Sequence, residues 1–415
     1  MTTTTLSTTT SRRLPLVTYI LAAGVFLMGT TEFIVAGILP EIAGDLGISV
    51  ADAGLMITIF AVGMIVGTPT MAILTLRLSR RLTLSLALVV FAVGHVMVAL
   101  SSDFTIILGA RFLTALATGA FWAVAAVVGA KAAGAAAASR ALGVVLGGGM
   151  LANVVGVPLG AFAGQVIGWQ GPFWVLAALA LVGAVAVHRL VAADSGSGST
   201  PSVRAELASM RDSRVWLVLA GCAIVCGSSL AAYTFISPLL TENTGLAAAA
   251  VPLVLMAYGV GAFIGSTLGG RFGAHHPYPA LFISAAMTFL ILGSLFMFSG
   301  YALVTVVLIF LLGLFGMATN PILIGKAVGY AGHAPTLASA LSTSAFNLGT
   351  AMGSWVAGFA LESALGASGP VLVGAGVAAL YFLPLTLLLL RDRKEGSPPG
   401  EEGCGHAGGD IDHGA

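Results

Sequence analysis

The chain has 415 residues, 58% hydrophobic and only 8% charged, with a mean hydropathy of +1.03. Soluble domains carry about 25% charged residues, so this composition excludes a water-soluble enzyme and points to long apolar runs in a bilayer. A net charge of +1 leaves no basic footprint for nucleic acid, and three cysteines without paired loop spacing exclude a disulfide framework.

A bilayer core about 30 Å thick needs about 20 apolar residues per helix. Twelve runs qualify: 15–38, 52–76, 82–100, 104–128, 140–164, 171–191, 215–238, 248–270, 278–298, 301–325, 336–360 and 370–390. They are too long, and alternate too little, to be strands. The first follows Arg12 and Arg13 but exceeds the roughly 7–15 residues of a signal core, so it reads as a membrane helix. The fold class is an all-α integral membrane protein. A low-complexity tail (1–14) precedes a six-helix half (15–191). A Gly/Ser-rich, then charged, linker (192–214) leads to a second six-helix half (215–390) and a Gly-rich acidic tail (391–415). Both tails read as disordered. Cys404 and His406 in the last tail do not define a metal site, and no metal or cofactor is expected.

Charge sets the orientation. With a cytoplasmic N-terminus, 16 of the 17 Lys and Arg residues fall in cytoplasmic segments, including Arg77, Arg80 and Arg81 after the second span. The opposite loops carry acids such as Glu41, Asp45, Asp103 and Glu362. The positive-inside rule then predicts both termini in the cytoplasm.

The two halves echo each other. Pro40 precedes Gly47 by seven residues, as Pro238 precedes Gly245, an offset of 198. Gly156 and Gly160 in the fifth span match Gly349 and Gly353 in the eleventh at an offset of 193. Two repeated halves imply a substrate site near the midplane around which the halves rock.

Glu32 in the first span and Arg111 in the fourth are the two Asp, Glu, Lys or Arg residues that fall clearly inside spans. A charge at the bilayer centre costs about 2.5–3.5 kcal/mol on insertion scales, so such residues face a cavity or one another. Each lies eight residues from the acidic end of its helix, marked by Pro40 and Asp103. That places both about 12 Å below the rim, where they can pair or share a pocket. Glu32 then reads either as a proton carrier or as half of a fixed structural pair. Thr114, Thr118 and Trp122 follow Arg111 at helical spacing and suggest a cavity wall; the alternative is that both threonines bond their own backbone. His95, alone in the third span, is expected to bond a neighbouring backbone.

Gly156, Gly160 and Gly164 recur every four residues in the fifth span around Pro158, the spacing that lets helices approach closely and bend. Phe33, Tyr233, Tyr258, Asn153 and Asn347 complete the candidate substrate-binding set, since a buried polar tip needs a partner.

The segment TTEFIVAGILPEIAGDLGIS resembles the first span of bacterial drug:proton antiporters of the major facilitator superfamily, in the branch of sugar-efflux and chloramphenicol-efflux carriers. ARFLTALATGAFWAVAAV is similar to the family's arginine motif and carries over only Arg111; GVPLG with Gly164 resembles its antiporter motif. After the second span AILTLRLSRR keeps Arg77, Arg80 and Arg81 but has Ala72, Leu76 and Ser79 at the family's Gly, Asp and Gly positions. The resemblance implies the major facilitator fold in a bacterial plasma membrane and a monomer exchanging protons at Glu32 for a small amphipathic antibiotic. Chloramphenicol is the first candidate; sugar or small-metabolite efflux is the alternative. A membrane enzyme is disfavoured, because no G-x-S-x-G elbow, H-E-x-x-H motif or P-loop is present.

Overall fold

The computed structural model describes residues 14–74, 78–192, 212–331 and 335–395. Both tails, most of the central linker and Arg77 lie outside the described residues. Among the described residues eleven helical segments are long and apolar enough to cross a membrane. They are Leu16–Gly37, Val50–Met71, Arg80–Leu100, Phe104–Ala133, Ala138–Ile167, Gln170–Leu190, Ser213–Thr234, Ala248–His275, Pro277–Phe298, Ala302–Tyr330 and Gly366–Arg393. The expected eleventh span is the 27-residue helix Pro335–Leu361. It is less apolar because Ser342, Ser344, Asn347, Thr350 and Ser354 recur along its buried side, where it packs on the second and seventh spans. Large apolar side chains such as Leu100, Phe162, Val182 and Leu303 stay exposed, as a lipid-facing belt requires.

The helices break where the sequence removes backbone donors. Proline lacks the N–H that would bond four residues back. The first span passes into a tight 3-10 turn, Ile34–Gly37, just before Pro40, and the seventh breaks at Phe235, just before Pro238. Each is followed by a glycine at positive φ, Gly47 at 65° and Gly245 at 69°, a conformation that other residues rarely adopt. The two halves thus repeat one helix-ending device. In the fifth span a π-turn, Ala152–Gly156, accommodates Pro158.

The apolar cores divide unevenly. Toward the acidic ends of the helices a single cluster joins both halves, running from Ile34, Leu39 and Met56 through Phe173 to Phe235, Leu255 and Ala357. Toward the basic ends the clusters separate: Leu21, Phe91, Phe121 and Leu176 belong to the first half, Val218, Leu281, Leu323 and Leu385 to the second. The halves therefore meet mainly at the acidic end, and the second and eleventh spans stay in touch farther along through Thr58–Ser354 at 2.9 Å and Ser344 to the Ile65 carbonyl at 3.1 Å. At the acidic end Ser49 and Glu362 are hydrogen-bonded at 2.9 Å, and the Gln165 amide donates to the Ala248 carbonyl at 2.8 Å. At the basic end each half is tied within itself. Arg81 donates to His188 at 2.8 Å in the first; Asp392 takes Tyr278, Tyr330 and Lys326 in the second. Arg214 hydrogen bonds hold the Asp212 carboxyl below the usual carboxylate range at the start of the seventh span.

Candidate functional site

Glu32 lies in the last turn of the first helix, immediately before the 3-10 turn. Its side chain is half-buried and makes no hydrogen bond or ion pair among the described residues. Arg111 is fully buried. Its Nη1 donates to Thr31 Oγ1 at 2.9 Å, its Nε to the Met56 carbonyl at 3.3 Å, and its guanidinium carbon lies 4.4 Å from the Phe60 ring centre. A buried guanidinium needs such acceptors and a π face to offset desolvation. Nη2 is left buried without an acceptor. The direct Glu32–Arg111 ion pair, one of the two sequence readings, is therefore not formed in this state. The charges sit at matched depth but are separated by rotation about the first helix: Arg111 reaches Thr31, one residue and about 100° away from Glu32.

Thr31 has a second partner. Its Oγ1 is 2.8 Å from His95 Nε2, and His95 Nδ1 is 2.7 Å from the Phe91 carbonyl oxygen. The neighbouring backbone expected for His95 is found, but the imidazole also reaches the first span. That second contact joins residues 64 positions apart, and no local sequence pattern announces it.

The polar stripe after Arg111 takes the second of its two readings, bonding its own helix. Thr114 Oγ1 donates to the Arg111 carbonyl and Thr118 Oγ1 to the Thr114 carbonyl, both at 2.8 Å, and both side chains are fully buried. They form no cavity wall in this state, because their hydroxyl protons are used within their own helix. Trp122 is half-buried, lies against Gly149, and leaves its indole N–H buried without an acceptor.

Three of the candidate binding residues meet at the seam between the halves. The Phe33 ring stands edge-on to Tyr233, 6.0 Å between centres at 87°, and Tyr233 stacks on Tyr258 at 4.3 Å. The Tyr258 hydroxyl is buried without a partner. Asn347 donates to the Thr343 carbonyl of its own helix at 3.0 Å and leaves its Oδ1 buried and unpartnered. Asn153 lies in the π-turn, half-buried, with no hydrogen bond to its amide among the described residues.

The glycine stripe of the fifth span faces the first span. A Cβ at Gly156 would strike Thr30, one at Gly160 would strike Ile34, and one at Gly164 would fall 2.7 Å from Ile38. This stripe therefore rests on the helix that carries Glu32, with Pro158 buried beside it. Arg80 opens the third span behind its Ser79 cap, and Arg81 makes the bond to His188.

A model of the Major Facilitator Superfamily matches residues 21–240 and again 217–407. The chain belongs to this superfamily. Membership makes it a multi-pass membrane transporter rather than an enzyme. A chloramphenicol resistance protein of Streptomyces lividans is 34% identical over 89% of this chain and 95% of that protein. The inner membrane transport protein YdhP of Escherichia coli K12 is 32% identical over 90% and 95%, and a probable sugar efflux transporter of Helicobacter acinonychis 26% identical over 88% and 93%. Among solved structures, an inward-facing, occupied bacterial homologue of the human lysosomal transporter Spinster superposes with a TM-score of 0.74. It covers 93% of this chain and 98% of that one at 14% identity, a likeness of fold. Glu32 and the aromatic cluster of Phe33, Tyr233 and Tyr258 stand together at the seam between its halves.

Proposed function

We propose that this transporter exports a small, neutral, aromatic antibiotic, chloramphenicol first, across a bacterial plasma membrane in exchange for protons, with both termini cytoplasmic. The carrying observation is Glu32: a carboxyl half-buried at the seam, with no partner, beside an arginine held by another residue. A carboxylate that moves between two aqueous faces through apolar surroundings must be neutralised or solvated on the way. A proton neutralises it on one leg of the cycle; on the return leg the hydroxyl and amide hydrogens of a bound molecule solvate it, with Arg111 as the nearby countercharge. Drug arriving from the cytoplasm releases the proton from Glu32 and occupies the site, and protonation from outside releases the drug. Phe33, Tyr233 and Tyr258 supply aromatic faces. Trp122 Nε1, Tyr258 Oη and Asn347 Oδ1 are buried polar tips that a neutral ligand with hydroxyl and amide groups would satisfy.

With the basic end cytoplasmic, the division of the cores corresponds to an inward-facing state, closed outside around Ile34, Phe235 and Ala357 and parted inside. The S. lividans relative supports efflux of chloramphenicol; the H. acinonychis relative supports sugar efflux as the second reading. Expression in a host stripped of its own pumps separates them. Lowered chloramphenicol susceptibility, abolished by a protonophore, is the expected result. Unchanged susceptibility with protonophore-sensitive sugar export would favour the second reading. Reporters fused after Arg393 and inserted near Asp45 should read cytoplasmic and external; the reverse would overturn the orientation.

A further inference from the structure

The third span contributes a buried titratable group that proton exchange at Glu32 does not itself use. His95 is 1% exposed, its ring between Phe91, 4.0 Å between centres, and Phe173, at 5.7 Å. Its two nitrogens have different partners, and the chemistry of those partners fixes every proton in the chain. The Phe91 carbonyl can only accept, so Nδ1 carries the hydrogen. The Arg111 guanidinium can only donate, so Thr31 Oγ1 accepts from Nη1 and directs its own hydroxyl hydrogen at His95 Nε2. Donation runs one way, from Arg111 to Thr31 to His95 to the Phe91 carbonyl, across the fourth, first and third spans.

The chain requires a neutral imidazole with a free Nε2 lone pair. An imidazolium would donate from Nε2 into the second lone pair of Thr31 Oγ1, but it would set a second buried cation beside Arg111 and leave the Thr31 hydroxyl without its acceptor. Other titratable groups surround this centre on few sides. Glu32 comes from the first span, Arg111 from the fourth, and Cys226 faces Glu32 from the seventh. The second and sixth spans present Met56, Phe60 and Phe173.

We infer that His95 is a positioning residue for proton exchange at Glu32. By accepting from Thr31 it keeps that hydroxyl turned to receive Arg111, which holds the guanidinium off the Glu32 carboxylate and leaves that carboxylate free for a proton or for substrate. The inference rests on the proposed coupling role of Glu32. It assigns the setting of that role to a residue that touches neither proton nor drug.

The test uses the full-length chain in proteoliposomes, reading drug-driven proton release against pH and the KM for downhill chloramphenicol flux without a proton gradient. His95→Phe keeps the ring stacking and removes the acceptor; His95→Gln offers a carbonyl oxygen in its place. Thr31→Val and Thr31→Ser make the same contrast from the other end. Released from Thr31, Arg111 pairs with Glu32. The pH of half-maximal proton release should then fall by about one unit in His95→Phe and in Thr31→Val. The double variant should shift no further, because both changes break one chain. His95→Gln and Thr31→Ser should restore both the wild-type profile and the wild-type downhill KM. Nitrogen-15 spectra should show the imidazole hydrogen on Nδ1. Should His95→Phe fail to insert, the Thr31 pair decides. Wild-type proton release with an unmoved profile in the acceptor-deleting variants, or an Nε2–H imidazole, overturns the inference alone. Absence of drug-driven proton release in the wild type overturns the coupling reading and this inference with it.

Discussion

Gly259 in the eighth span lies across the seam from the π-turn of the fifth. A Cβ there would lie 2.6 Å from the Asn153 carbonyl carbon and 2.9 Å from Val154 Cα, with the Asn153 oxygen closer still. All three are backbone atoms, so no side chain can swing away. Reaching the 3.4 Å of ordinary contact requires the two helices to part by at least about 0.8 Å. Forcing one extra carbon into such packing costs about 1–3 kcal/mol. In a rocking carrier that cost falls on the state in which the halves meet here, which shifts the state ratio by about 5–150-fold. Spin labels at the acidic ends of the fifth and eighth spans should report a longer distance in Gly259→Ala, and transport should slow. Gly293→Ala, where an added Cβ meets nothing within 4 Å, serves as the control and should change neither. A wild-type distance and wild-type transport in Gly259→Ala would refute the seam as described.

Thr114→Val and Thr118→Val should each leave chloramphenicol KM within about twofold, since their hydroxyls are used inside their own helix; a tenfold rise would return them to the binding site. Glu41, outside the spans, has its carboxyl raised above the usual value by burial, partly offset by its own backbone N–H. A carboxyl raised in the folded state favours folding below its unfolded value, and that contribution is lost as pH rises through the folded value. Glu41→Gln should therefore raise the melting temperature at neutral pH, with the gain disappearing in acid; a gain independent of pH would contradict the burial argument.

The spans were legible because about 20 apolar residues in a row have few other uses, and the repeat because Pro40–Gly47 and Pro238–Gly245 encode the same helix end. The depth of Glu32 and Arg111 could be counted from their helix ends. Their separation could not, since it depends on how the first helix is rotated, and that rotation is set by the glycine stripe of the fifth span pressing on Thr30, Ile34 and Ile38. Thr114 and Thr118 show the same limit: helical spacing put them on the Arg111 face, but whether a threonine turns outward or back to its own helix is a choice of side-chain torsion. His95 looked isolated because its decisive partner lies on another span. Gly259 was one of 55 glycines, and only the backbone opposite it distinguishes it.

The coupling role proposed for Glu32 is tested most directly by Glu32→Gln in proteoliposomes, which keeps the size and most hydrogen-bonding capacity of the side chain but cannot release a proton. If Glu32 carries the coupled proton, the variant binds chloramphenicol and carries it downhill, yet neither accumulates it under a pH gradient nor releases protons when drug is added. Full gradient-driven accumulation by Glu32→Gln would rule out Glu32 as the proton carrier.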